Sequence, residues 1–365
     1  MTACAECLRR TALIGFLSPQ VATRLGAPRR SRAILALSDE DLIDEVGGMM
    51  TADARKLVSR FDAGAARQHA SDAGLHAICR HEELYPRRLR DLDDPPSVLH
   101  STAEPERLGE LADGPAVAVV GSRRASAHGL EVAREIGRSL SAAGVTVTSG
   151  LAMGIDAASH RGALEAGGRT VAVLGSGADR PYPRINAALY RRVRETGAVI
   201  SELPPGAAPH RWTFPARNRI MAGLASAAVV VEAAERSGSL ITATFAQDLG
   251  RDLGAVPGWV TSREAAGSND LLHAGAAVWR GGADILDAVL GAGNWDTTSL
   301  ANQRVEEALD EPHRLVLRAV EQGESMAQAA GGAGLTAAEL RGALGRLELL
   351  GLVRRDGLGR YERAA

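Results

Sequence analysis

The sequence predicts an α/β protein built around a doubly wound parallel sheet, and three observations predict it. Six short apolar runs recur at a spacing of roughly 25 to 30 residues from Ala116 onward. Each run ends near a glycine or serine and leads into a stretch of helical periodicity, the pattern of consecutive βαβ units. Aromatic residues make up only 3% of the chain, so the core must consist of Ala, Val, Leu and Ile, which suit strands covered on both faces.

Residues 1 to about 75 read as short amphipathic helices broken at Gly26, Pro28, Gly47, Gly48 and Gly64, with Ser38-Asp39-Glu40-Asp41 as a helix start. A connector follows, His81-Glu-Glu-Leu-Tyr-Pro-Arg-Arg-Leu89 and then Asp93-Asp-Pro-Pro-Ser-Val-Leu99, whose prolines forbid a continuous helix. The six runs are residues 116–120, 145–149, 170–174, 198–201, 227–232 and 253–256. They imply a Rossmann-like sheet with helices on both faces, whose ligands sit at the carboxyl ends of the strands. Residues 288–305 are a Gly/Asn/Thr-rich linker. Beyond it, Pro312 to Glu362 carries three short helical patterns and a Gly357-x-Gly359 hairpin signal. Leu340, Leu344, Leu347 and Leu350 lie on one face of the last helix, and the whole has the size and pattern of a winged helix. The expected division is 1–80 helical domain, 81–288 sheet domain, 289–305 linker and 306–365 winged helix.

Composition excludes several chemistries. Lys56 is the only lysine among 42 cationic residues. A Walker-type phosphate loop and a pyridoxal Schiff base are therefore out of reach in the sheet domain. The arginine excess reads as compositional background, so only clustered arginines carry information. No Gly-x-Gly-x-x-Gly opens the first helix and no acid ends the second strand, which disfavours a dinucleotide cofactor. Neither Gly-x-Ser-x-Gly nor a triad appears, so no catalytic residue is expected. Cys4, Cys7 and Cys79 are too few for a disulfide framework. Cys4-x-x-Cys7 has metal or redox spacing, but no second Cys/His pair stands near it in the sequence, so no metal and no cofactor are expected. No run approaches the roughly 20 apolar residues of a membrane span. A soluble, cytoplasmic protein is the expectation.

The net charge of −2 argues against a nucleic-acid partner only until it is partitioned. Residues 113–230 hold 14 arginines against 8 acids, a net of +6, so the rest of the chain carries −8. Residues 306–365 hold 8 arginines against 10 acids, which suits a protein contact better than a duplex.

The strand-end loops of the basic region hold the candidate residues. The first strand ends in Gly121-Ser122-Arg123-Arg124 before a helix starting near Ser126, where backbone N–H groups and a forked cation suit a phosphate. The second ends in Ser149-Gly150, with Asp156 reading as a helix cap that His160 would pair with one turn later. After Ser201-Glu202 comes His210-Arg211-Trp-Thr-Phe214-Pro-Ala-Arg217-Asn218-Arg219, arginines interleaved with rare aromatics, as a single strand gripped by stacking and phosphate contacts would need. Trp212 and Phe214 have an alternative use as anchors of a long loop. Ser237-Gly238-Ser239 enters a helix as a further anion-ready terminus.

Taken together, these stretches resemble the bacterial DNA-processing protein A family (DprA/Smf). The matching segments are Tyr85-Pro86 with Asp94-Pro-Pro96, Gly121-Ser-Arg123, Ser149-Gly-Leu-Ala-Met-Gly-Ile-Asp156 with His160, Tyr182-Pro183, Ser201-Glu202, Phe214-Pro-Ala-Arg-Asn-Arg219, Ser237-Gly-Ser239 with Thr242-Ala243, and Pro257-Gly258, in family order over residues 81 to about 280. The resemblance implies a non-enzymatic single-stranded DNA binder that loads RecA recombinase during natural transformation and recombination, typically a homodimer. It also implies a small helical, SAM-like N-terminal domain and a C-terminal winged helix. Carried over by motif, Arg123 and Arg217 to Arg219 would meet phosphates and Phe214 would stack on a base. Ser149, Gly150 and Ser237 to Ser239 would line the same pocket. The chain departs from the family in having His128 before Gly129, and His210 and Arg211 where a lysine is common. A second expectation, from the enzyme class, is a nucleoside-monophosphate phosphoribohydrolase of the lysine-decarboxylase-like type. That class needs a Pro-Gly-Gly-x-Gly-Thr run where this chain has Glu232-Ala-Ala-Glu-Arg-Ser-Gly-Ser239. A third is a regulator that binds DNA through the winged helix.

Overall fold

The computed structural model describes residues 3–24, 34–295, 309–323, 325–350, 352–355 and 360–363. Its sheet has nine strands: β1 (His76–Cys79), β2 (Val98–Ser101), β3 (Ala116–Val120), β4 (Thr146–Ser149), β5 (Thr170–Val173), β6 (Ala198–Ser201), β7 (Ala227–Val230), β8 (Asp252–Ala255) and β9 (Ala277–Val278), in the order β1-β2-β6-β5-β4-β3-β7-β8-β9. Neighbours from β6 through β9 run parallel. β1 and β2 extend one edge antiparallel. The six expected strands are β3 to β8. β2 comes out of the proline connector because its backbone groups can pair with the edge of β6, a partner that local propensity does not reveal.

Chain order moves outward from β3 to β6 on one side and from β7 to β9 on the other. The reversal therefore lies between β3 and β7, and a crevice opens there at the carboxyl ends. Both faces are covered. Val117, Val119 and Val147 pack with Ile136, Leu140 and Ile155 from helices α6 (Ala127–Ala142) and α7 (Ile155–Glu165) and with Ile285 and Leu286 from α12 (Gly282–Leu290). On the opposite face Val171, Val173 and Ile200 share a core with Leu108 and Leu111 of α5 (Pro105–Ala112) and with Ile220, Met221 and Leu224 of α9 (Thr213–Leu224). Each such side chain contributes about 1.5–3 kcal/mol by leaving water.

Helices α6 and α7 touch through glycines. A Cβ on Gly137 would lie 2.1 Å from the Ser159 carbonyl oxygen, and one on Gly162 would lie 1.9 Å from that of Arg134. Backbone on both sides leaves no flexible group to move. Gly162→Ala is expected to cost about 1–3 kcal/mol as an overpacked contact, read as a lower urea midpoint with an unchanged slope.

The N-terminal helices α1 (Ala5–Arg24), α2 (Asp39–Val46), α3 (Thr51–Ser59) and α4 (Ala63–Asp72) precede the sheet. Ser38 caps α2 by accepting from the Asp41 N–H at 3.1 Å, as its sequence promised. Leu13, Leu17, Leu42 and Ile43 pack against Leu203 and Trp212 of the sheet region, so these helices share a core with the loop after β6. The expected breaks at Gly26 and Pro28 lie outside the described residues. Helices α8 (Ala187–Thr196), α10 (Ser239–Asp248) and α11 (Ala266–His273) complete a unit spanning Met1–Trp295.

A second unit spans Asp296–Ala365. It holds α13 (Glu311–Glu321), α14 (Met326–Ala333) and α15 (Ala337–Leu349), then β10 (Val353–Arg355) paired antiparallel with β11 (Tyr361–Arg363). Leu340, Leu344 and Leu347 enter its core with Val316, Leu317 and Leu352. Leu350 does not: α15 stops at Leu349 and Leu350, its C-cap, is 40% exposed. Gly357-x-Gly359 lies outside the described residues. Among the described residues no helix is long and apolar enough to cross a membrane.

Candidate nucleic-acid interface

Three loops converge over the crevice: the turn after β3, the start of α9 and the turn before α10. They enclose a cleft of about 770 Å³ lined by Gly121, Ser122, Arg123, Arg211, Phe214, Arg217, Asn218, Ser237, Gly238 and Ser239, ten of the residues singled out by sequence. Arg124, Asp156 and Tyr182 line it as well. Four arginines thus face one carboxylate, so the cleft is electropositive.

Phe214 is half-buried at the mouth. The Arg123 guanidinium lies 5.2 Å from its ring centroid, and the Tyr182 ring stands 5.5 Å away at an interplanar angle of 39°. Arg123, Arg124 and Arg211 are exposed. The result is an aromatic ledge with exposed cations beside it. Trp212 turns the other way. It is buried, and its Nε1 donates to the Ser18 carbonyl at 2.9 Å, so it is the anchor and Phe214 is not.

The floor is set by α9. Arg217 donates from Nη1 to the Val173 carbonyl at 2.6 Å and from Nε to Asn218 Oδ1 at 2.9 Å, and its Nη2 lies 3.7 Å from Asp156 Oδ2. Burial lowers this guanidinium to about 10 against the opposing pull of Asp156, with Arg123 adding to the lowering, so it remains cationic at neutral pH. Asn218 in turn donates to the Gly238 carbonyl at 3.2 Å and fastens α9 to the Ser237–Ser239 turn. Ser237 and Ser239 hydroxyls are hydrogen-bonded at 2.7 Å, and α10 begins at Ser239, whose N–H donates to Ser237 Oγ at 3.4 Å, its amino end turned to the cleft.

Several expectations are corrected. Arg219 is not in the cleft. It is 2% exposed, its Nη1 and Nη2 donate to the two oxygens of Glu202 at 2.8 and 2.7 Å, and its Nε lies 2.9 Å from Asp94 Oδ2. The Asp94-Pro-Pro and Ser201-Glu202 segments are therefore ligands of this one arginine. Ser149 is fully buried and donates to the Val119 carbonyl at 2.6 Å. Gly150 lies behind the cleft, where a Cβ would come within 1.7 Å of Arg217 Nη1, so its role is to seat that guanidinium. The amino end of α6 is not free for a phosphate either. Glu232 already occupies it, accepting from the Ser126 N–H at 2.9 Å and from its hydroxyl at 2.5 Å. Gly129 makes room for that carboxylate, a Cβ there lying 2.7 Å from Glu232 Oε2.

Asp156 and His160 form no pair. The carboxylate accepts from the Gly150 and Ala152 N–H groups, while His160 Nε2 accepts from the Leu151 N–H at 3.3 Å and its Nδ1 meets Thr170 Oγ1 at 2.7 Å. Burial holds His160 down at about 3, with Arg217 acting in the same direction, so it is neutral and structural. Sequence reasoning left Tyr182 and Arg124 out of the site. The Tyr182-Pro183 pair in a chain with only four tyrosines was the available signal.

Residues 76–290 match the family described as DNA recombination-mediator protein A. A Mycobacterium tuberculosis protein provisionally named as a DNA processing protein DprA is 42% identical over 280 residues, 76% of this chain and 72% of the relative. The X-ray structure of DNA processing protein A from Streptococcus pneumoniae is similar with a TM-score of 0.62 and 31% identity, over 79% of this chain and 99% of that one. A structure of the Helicobacter pylori protein, described for its single-stranded DNA binding mode, is similar with a TM-score of 0.50 and 26% identity, over 56% of this chain and 91% of that one.

Proposed function

We propose, from the premise that the chain belongs to the DNA recombination-mediator protein A family, that the cleft between β3 and β7 binds single-stranded DNA without catalysing a reaction on it. The observation that carries the reading is the Phe214 ledge, flanked by Tyr182 and overlain by Arg123 at the mouth of an arginine-lined cleft. An unpaired base can lie on that ring while Arg123, Arg124 and Arg211 meet its phosphates, and a duplex keeps its bases stacked internally. Arg217, Asn218 and the Ser237–Ser239 turn supply fixed donors beneath. Similarity to a Helicobacter pylori protein described for single-stranded DNA binding supports the same reading.

Family membership extends it. RecA loading, a role in natural transformation and recombination, a cytoplasmic location and a homodimer belong to this proposal. So do the division at residues 80, 288 and 305, a SAM-like helical module at the amino end, and a winged helix at the carboxyl end that contacts protein rather than duplex. The phosphoribohydrolase alternative fares worse. Its glutamate would have to be free near β7, whereas Glu232 is hydrogen-bonded to the amino end of α6.

The test is a gel-shift competition between oligo-dT and blunt duplex at two salt concentrations. Single strand should win, and log K should fall with log salt by about 0.7 per phosphate contacted. Equal or tighter binding to duplex, or release of free base from nucleoside monophosphates, overturns the reading.

A further inference from the structure

Away from the cleft, the fold supplies what the sequence around Cys4-x-x-Cys7 lacked. Cys4 immediately precedes α1 and Cys7 lies in its first turn, while β1 ends at Cys79 and His81 follows two residues on. The three Sγ atoms and a ring nitrogen of His81 all lie within 4.8 Å of one another. His81 Nδ1 is 3.4 Å from Cys4 Sγ and 3.5 Å from Cys7 Sγ. A tetrahedral zinc ion, with bonds of about 2.3 Å to sulfur and about 2.0 Å to nitrogen, holds such atoms about 3.5 Å apart. The two nitrogen-to-sulfur edges from His81 to Cys4 and Cys7 have that length, and the remaining edges lie within 4.8 Å.

The surroundings hold both segments in place. Arg67 donates from Nε and Nη2 to the Ala3 carbonyl at 3.1 and 2.9 Å, and Glu82 accepts from the Cys79 N–H at 2.9 Å. The Cys4 N–H is directed at Cys79 Sγ, 3.5 Å away, an amide that supports a thiolate. Cys7 and Cys79 are buried among Ala3, Leu8 and Val98, and His81 closes the cluster on the solvent side. Burial pushes the Cys7 thiol up to about 12. Burial raises Cys4 too, but the Cys7 N–H and His81 outweigh it and bring Cys4 to about 7. A bound dication removes the remaining thiol protons.

We propose that Cys4, Cys7, Cys79 and His81 bind one zinc ion in a closed structural site. Three thiolates and an imidazole are a soft, four-membered set that selects zinc over hard cations and leaves no open position for chemistry. The ion would pin the amino end of α1 to the edge strand β1, 75 residues away in sequence. The site is separate from the DNA cleft, so it stands or falls independently of the proposed function.

Full-length protein, purified under reducing conditions without chelator, should carry one zinc per chain by elemental mass spectrometry. Replacing zinc with Co²⁺ should produce thiolate-to-cobalt charge-transfer absorption and the intense visible bands of tetrahedral coordination. Cys79→Ser and His81→Ala should lose both. Because such variants can fail to fold, the parent provides a second arm: stripping with a chelator should lower its melting temperature by several degrees, and Zn²⁺ should restore it. Three outcomes overturn the site: metal-free protein whose melting ignores both zinc and chelator, a disulfide among these cysteines in the purified chain, or bound iron with acid-labile sulfide.

Discussion

Arg219→Leu is expected to lose about 3–5 kcal/mol of stability, the usual cost of leaving one side of a buried ion pair uncompensated. Its guanidinium is 2% exposed and is held by Glu202 and Asp94 at 2.7–2.9 Å, so the substitution strands two carboxylates that are themselves 8% and 7% exposed. It also removes donors to the Asp94 and Ala216 carbonyls. The measurement is urea unfolding alongside a binding titration on the fraction that folds. Lost stability with near-parental affinity for oligo-dT identifies a structural bolt. Parental stability with lost affinity would restore the phosphate role that the motif implied and overturn the placement.

Phe214→Ala should weaken binding to oligo-dT by about 5- to 150-fold, the equivalent of about 1–3 kcal/mol for one stacked base. Phe214 is half-buried at the cleft mouth, so its truncation should leave the unfolding midpoint close to the parent. The salt dependence separates its role from that of Arg123. Phe214→Ala should keep the slope of log K against log salt, because a stacked base releases no counterion. Arg123→Ala should reduce that slope by about 0.7. Since the Arg123 guanidinium lies over the same ring, the double variant should lose less than the two single losses added together. Additive losses would show that the ledge and the cation act separately.

Those two arginines, Arg123 and Arg219, stand in equally convincing motifs and have opposite fates. Local sequence could not separate them, because an arginine in a Gly-Ser-Arg turn and one in a Phe-Pro-x-Arg-Asn-Arg helix start read the same whether they face solvent or a buried carboxylate such as Glu202. The strands were easier. β3 to β8 were legible because strands covered on both faces read as runs of mostly small and apolar residues, repeated here at a regular spacing. β1, β2 and β9 were not: β9 has only two residues, and β1 and β2, though as long as β4 to β8, stand outside the repeating strand–helix pattern. What identifies them is the edge they join.

Sequence by itself determined the α/β class, the six central strands, the basic character of residues 113–230 and ten of the residues around one cleft. All of these follow from local pattern: strand periodicity, charge counts, and the glycines and hydroxyls that parallel βα turns require. Tertiary structure alone decided that Arg219 and Gly150 serve packing, that Glu232 fills the amino end of α6, that Tyr182 joins Phe214, and that Cys79 and His81 meet Cys4 and Cys7. The physical reason is common to all five. Each depends on a partner 17 to 125 residues away in the chain, the two extremes being Glu202 and Asp94 beside Arg219, and only chain folding decides which polar group a buried charge, ring or thiol finds.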